Sequence, residues 1–188
     1  MSDIDQIKAD LRAAMNGVAA KSIRESGMGY RRVYGVELPR LREIAASYTP
    51  DRRLAQDLWQ EDIRECKMLA VMLYPPSDFD GDIAVLWIES LCRQQAELAQ
   101  LMAMDLLCHL PDASVLSFQW MADEREIFQL CGFLTLTRLL MQGAVLSPAS
   151  EAEFLDQAAT AKASSYLPLR KAAQNALLRL SPEASLDA

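Results

Sequence analysis

Apolar residues recur along this chain at helical spacing, in segments separated by short polar or proline-bearing breaks. In the first segment, residues 3–20, Ile4, Ile7, Leu11, Ala14, Met15 and Val18 fall on one face. Ser2 stands at the N-cap position, with Asp3 and Asp5 in the first turn. Over 38–48, Pro39 sits in a first turn, where its missing N–H is no loss, and Leu38, Leu41, Ile44, Ala45 and Tyr48 share a face. Thr49, followed by Pro50 and Asp51, starts a short helix that closes near Trp59. After the polar break Gln60-Glu61-Asp62, the positions Ile63, Cys66, Ala70 and Leu73 keep the period. Met68, Leu69, Val71 and Met72 make this helix apolar nearly all round, so it is expected to be buried, and Pro75-Pro76 end it.

The same grammar continues downstream. Helices are expected over 80–92, around Ile83, Leu86, Trp87 and Leu91, and over 95–108, where Leu98, Leu101, Met102 and Asp105 share a face. Asp112 caps a short helix ending near Trp120, and Asp123 to Glu126 open a long one to about Gln142. On that helix Ile127, Leu130, Cys131, Leu134 and Met141 form a stripe, and Gly132 marks a close approach of a second helix. Ser147-Pro148 starts the next helix, and the last runs over 165–180 with Leu169, Ala172, Ala173, Ala176, Leu177 and Leu180 inward. Hairpins over 38–74, 79–109, 112–143 and 148–180 repeat with the period of helical solenoids, and no β-alternation of useful length appears. The fold class expected is all-α.

One set of spaced residues carries a resemblance. Gly35-Val36, Pro39, Arg42, Leu58-Trp59, Ile63-Arg64-Glu65 and Leu69-Ala70 together resemble the N-terminal signature of the AlkD-like DNA alkylation repair family. The resemblance implies a right-handed superhelix of HEAT/ARM-like antiparallel helix pairs, here a single domain over 1–182 with 183–188 as a frayed tail. It further implies duplex DNA held on a basic concave face and cleavage of the N-glycosidic bond of cationic alkylpurines. A catalytic aspartate comes from a helix at about the place of Asp105. In the family it is thought to stabilise the cationic sugar of the transition state and to position the attacking water. From the residues alone, an aspartate on an apolar stripe equally suits a pair with His109 one turn later or a cap on the next element.

Charge restricts where DNA could sit. The net charge is −7, but residues 1–68 hold twelve Lys/Arg against eleven Asp/Glu. A footprint would therefore use the N-terminal third, among Arg24, Arg31, Arg32, Arg40, Arg42, Arg52, Arg53, Arg64 and Lys67. Arg31, Arg32, Arg40, Arg42 and Arg53 are the phosphate-contact candidates, with weak, salt-sensitive binding expected. Each alternatively serves as a solvated partner of Glu37, Glu43, Asp57 or Glu65. The loop over 26–35 places Tyr30 among glycines and arginines, and it lacks the lysine-bearing pattern of a P-loop.

Active members of the family press aromatic residues against the lesion sugar and carry an arginine on the long helix. The matching positions here are Leu101, Cys131 or Leu130, and Asn175. Trp120 and Phe128 are the aromatics left to hold a cationic lesion. Cys66, Cys92, Cys108 and Cys131 contain no CxxC pair, and His109 is the one histidine, so buried free thiols and no metal or other cofactor are expected. The Asp78, Asp80 and Asp82 run does not continue as a calcium loop and reads as a turn leading into a helix. An acidic N-terminus without a leader pattern, and apolar runs too short for a bilayer, lead to the expectation of a cytoplasmic protein without a membrane partner. Two functions are compatible with these features: an alkylpurine DNA glycosylase, or a non-catalytic helical scaffold binding distorted DNA or a protein partner.

Overall fold

The computed structural model describes residues 2–180, so the expectation for the 183–188 tail lies outside them. Eleven α-helices account for most of the described residues, joined by short 3-10 turns, and the one β-type pairing is an isolated bridge between Arg32 and Ile63. The chain divides after Phe79 into two compact units.

The first unit holds α1 (Asp3–Ala13), α2 (Gly17–Glu25), α3 (Leu38–Ala46), α4 (Arg52–Gln60) and α5 (Arg64–Leu73). Ser2 and Asp5 cap α1 reciprocally, the Ser2 hydroxyl accepting from the Asp5 N–H and the Asp5 carboxylate from the Ser2 N–H. The expected single helix over 3–20 is broken at Asn16, whose side chain accepts from the Val18 and Ala19 N–H groups and starts α2. Met15 and Val18 therefore leave the expected core stripe and lie 58% and 83% exposed. The cap of α4 is Asp51, not Thr49, its carboxylate taking the Leu54 N–H at 2.7 Å. The Asp51 N–H donates to the Leu73 carbonyl at the end of α5 at 3.0 Å, which holds Asp51 in the extended geometry of a cap. Helix α5 is buried as its all-round apolarity requires, packs on α3 and α4, and stops before Pro75-Pro76.

The loop between α2 and α3 is tied down by α5. Glu65 is 0% exposed and accepts the backbone N–H groups of Tyr34 (3.0 Å) and Gly35 (2.9 Å), while the Arg64 guanidinium donates to the same carboxylate at 3.0 Å. Arg64 also donates to the Val36 carbonyl. Gly35 has φ +74°, and a Cβ there would lie 2.4 Å from both the Ala20 nitrogen and the Asn16 oxygen.

The second unit contains α6 (Gly81–Glu89), α7 (Ala96–Asp105), α8 (Ala113–Met121), α9 (Glu126–Met141), α10 (Pro148–Lys162) and α11 (Leu167–Leu180). Helix α9 is its axis, packing on α6, α7, α8 and α11, with α10 against α11. The expected hairpin over 79–109 takes another form, because α6 and α7 each rest on α9. Gly132 marks a close approach as expected: a Cβ would meet the Ser117 oxygen at 2.6 Å and the Met121 Cγ at 2.7 Å. Phe133 of α9 and Phe154 of α10 meet edge to face at 6.0 Å.

Three outcomes are expected. Glu65→Ala strands two buried N–H groups and the Arg64 cation, and should cost about 3–5 kcal/mol in urea unfolding; an unchanged midpoint would refute the pinning role. Gly132→Ala should lose about 1–3 kcal/mol through overpacking, read in the same experiment. Burial pushes the Cys66 and Cys131 thiols up to about 12, so both stay protonated at pH 8 and should resist iodoacetamide until the protein unfolds. Cys92, half-buried, should be alkylated first in peptide mass spectra.

Candidate nucleic-acid interface

In the first unit, Arg31 and Arg32 extend from an irregular segment whose backbone is nonetheless fixed. The Arg32 N–H donates to the Asp62 carbonyl at 3.2 Å, and the Arg64 N–H donates back to the Arg32 carbonyl at 3.1 Å. Both arginine side chains are exposed, as are Arg42 on α3 and Arg53 on α4. Among the described residues, no carboxylate pairs with Arg31, Arg32 or Arg53. Arg40 differs, its guanidinium lying 2.6 Å from Glu43 in an exposed pair. Two other cations of this third are structural. Arg64 is buried on Glu65, and Lys67 lies over the Trp59 ring and donates to the Trp59 carbonyl at 2.7 Å. Burial holds the Lys67 amine below its usual range. Tyr30 is half-buried and lines a concavity of about 300 Å³ with Arg24, Met28 and the left-handed Gly27 and Gly29.

In the second unit, Asp105 is the last residue of α7 and is half-buried, with Leu98, Leu101 and Met102 of its stripe in the core. His109 is exposed on the following 3-10 turn, Leu107–His109. The two expected groove aromatics are core residues instead. Trp120 is 4% exposed and Phe128 2%, because each stands on the apolar side of its helix. What approaches Phe128 from outside is Arg125, stacked on the ring at 3.8 Å and held by Asp123 and Glu89. Of the positions expected to match the family's cleft, Leu101, Leu130 and Cys131 are buried, and Asn175 is exposed.

Asn175 opens onto a cavity of about 490 Å³ between α7, α9 and α11. Gln100 and Met104 come from α7, Leu134, Thr137, Arg138 and Met141 from α9, and Leu178 and Arg179 with Asn175 from α11. Arg138 is therefore an arginine of the long helix, two turns beyond Cys131, that the motif comparison passes over. Its Nε is buried without an acceptor. The Cys108 thiol lies beside its guanidinium; burial raises the thiol's pKa and the cation partly opposes the rise. The signal for this cavity was present in the spacing, since each helix contributes residues three, four or seven apart. Reading α9 as one apolar stripe hid the point at which that stripe leaves the core.

Among the described residues, no group of three or more metal-ligating side chains is clustered, and no helix is long and apolar enough to cross a membrane. Comparison with curated proteins finds no match. Among solved structures, a member of a family related to the HEAT-like repeat DNA glycosylases, with affinity for branched DNA structures, has this fold. The TM-score is 0.80 at 17% identity, covering 98% of this chain and 78% of that one. A family model for DNA alkylation repair enzymes matches residues 7–181, and the chain belongs to the DNA alkylation repair enzyme family.

Proposed function

We propose that this protein binds DNA of distorted or branched geometry in alkylation repair, and that Asp105 is its group for glycosidic-bond chemistry. The observation that carries the binding reading is the set of exposed arginines without carboxylate partners, Arg31, Arg32 and Arg53, on a protein whose net charge is −7. Unpaired surface cations of this kind are what phosphates recruit, releasing counterions on contact. Arg40 and Arg42 are exposed on the same helix, and Arg40 becomes available by giving up its exposed Glu43 pair, which is worth little in water. Tyr30 supplies an aromatic face beside them, and Arg138 a second phosphate donor on α9.

The chemistry needs one carboxylate and no general acid. In an N3- or N7-alkylated purine the base is already cationic; when the C1′–N bond breaks, its electron pair neutralises the departing ring. The sugar is left as an oxocarbenium ion, which the Asp105 carboxylate stabilises while orienting water toward C1′; the water proton then passes to the carboxylate. The buried Leu101, Leu130 and Cys131 offer no aromatic face to the sugar, which favours slow catalysis. The same loss favours a second reading, a non-catalytic member that recognises DNA shape.

A gel-shift comparison of a four-way junction with linear duplex at rising salt tests the binding. The junction should bind more tightly, binding should weaken with salt, and Arg31→Ala with Arg32→Ala should lower affinity about tenfold. Absence of low-salt binding to either DNA would overturn the proposal. Release of methylated purine by the wild type and not by Asp105→Asn, with binding retained, establishes the chemistry; no release from the wild type leaves the shape-recognition reading.

A further inference from the structure

The cavity between α7, α9 and α11 has a composition that a DNA backbone contact alone does not require. Its volume of about 490 Å³ is far more than one phosphate fills, and it lies in the range of small-molecule sites. Three kinds of lining group converge there. Met104, Leu134, Met141 and Leu178 form the apolar part, and Met104, Met141 and Leu178 stand 37%, 54% and 47% exposed. Thioethers and branched aliphatic groups are suitable surfaces for a flat ring. Gln100 and Asn175 bring two side-chain amides from different helices, and among the described residues neither amide has a protein partner. Each offers a donor and an acceptor together. Arg138 and Arg179 supply positive charge to the cavity, and the Nε of Arg138 is buried without an acceptor.

A nucleotide presents all three features these groups would meet, its base the flat face and the donor and acceptor edge, its phosphate the anion. We infer that this cavity captures a single unpaired nucleotide, its phosphate on Arg138 and Arg179, its base against Met104 and Met141, and its edge on Gln100 and Asn175. A base inside a duplex stack presents no free face, so only an unstacked nucleotide enters, such as one at a branch point, bulge or strand end. The inference rests on the DNA-binding reading and adds to it a reason for preferring distorted DNA. An apolar peptide ending in a carboxylate would use the same arginines and methionines but brings no flat heteroaromatic ring to them, and the first measurement below separates the two.

Two measurements on the full chain test this. The first is ligand-observed NMR with dAMP, deoxyribose 5-phosphate and N-acetyl-leucine. dAMP should bind most tightly, and Gln100→Ala or Asn175→Ala, both at exposed helical positions, should weaken it about tenfold. Equal or tighter binding of N-acetyl-leucine, or no effect of either substitution, would overturn the inference. The second places 2-aminopurine at a one-nucleotide bulge and at the paired control position. The bulge fluorescence should change on binding, the control should not, and Asn175→Ala should abolish the change. DNA that binds with the bulge signal unaltered refutes nucleotide capture and leaves the DNA-binding reading standing. DNA that does not bind at all refutes that reading, and the capture inference falls with it as a feature of DNA recognition.

Discussion

Glu65 is a carboxylate shut away from solvent, and the N-terminal unit is arranged around satisfying it. One oxygen takes the Tyr34 N–H, and the other takes the Gly35 N–H and the Arg64 guanidinium. A buried ion costs several kcal/mol unless its lone pairs are filled, so the α2–α3 loop is held wherever α5 holds Glu65. The constraint then propagates. With Gly35 fixed in the left-handed region and lacking a Cβ, the turn seats against the first turn of α2, and the Tyr34 carbonyl accepts the Asn16 N–H at 3.0 Å. The helix break at Asn16, the loop and α5 are one bonded assembly. The signature residues Gly35, Arg64 and Glu65 thus act as architecture, and what the architecture presents is the pair Arg31 and Arg32. Their side chains are exposed while the Arg32–Ile63 bridge fixes the backbone at Arg32, which on the proposed reading lowers the ordering cost of meeting a phosphate.

The second unit depends on α9 in a comparable way. Near its start the helix carries Ile127, Phe128, Leu130 and Cys131 into the core, and Gly132 admits the α8 backbone to a distance no side chain would allow. Two turns later the same helical faces emerge from the core, and Leu134, Thr137, Arg138 and Met141 line the cavity with α7 and α11. One helix therefore serves as the packing axis and as a wall of the candidate site.

Local chemistry was readable wherever a short-range rule decided the outcome. The Ser2 and Ser147 caps, the stop at Pro75-Pro76, the burial of α5 and the Gly132 approach all follow from residues within a few positions of one another. The misreadings have a common origin in competition between local options. Asn16 could continue a periodic helix or cap a new one, and it caps; Thr49 and Asp51 could both start α4, and the bond from the Asp51 N–H to the Leu73 carbonyl holds Asp51 as the cap. At the site, Trp120 and Phe128 were assigned by residue type, and burial is a property of the whole packing arrangement. Arg138 was missed because the arginine of the long helix was matched to Cys131 or Leu130, whereas three helices, distant in sequence, assemble the cavity.

Electrostatics constrains what kind of recognition this molecule can perform. Arg40, Arg64, Arg93 and Arg125 each face a carboxylate; among the cations that do not are Arg31, Arg32 and Arg53 in the first unit and Arg138 and Arg179 in the second. Each phosphate neutralised contributes a roughly fixed increment of affinity at a given salt, so a handful of contacts on an acidic protein gives weak non-specific binding. On the proposed DNA-binding reading, discrimination then comes from contacts that ordinary duplex cannot make. Deformed DNA provides them at reduced cost, because its stacking is already broken at the branch or lesion. Poor charge complementarity and a preference for distorted DNA are, on this view, two consequences of the same surface.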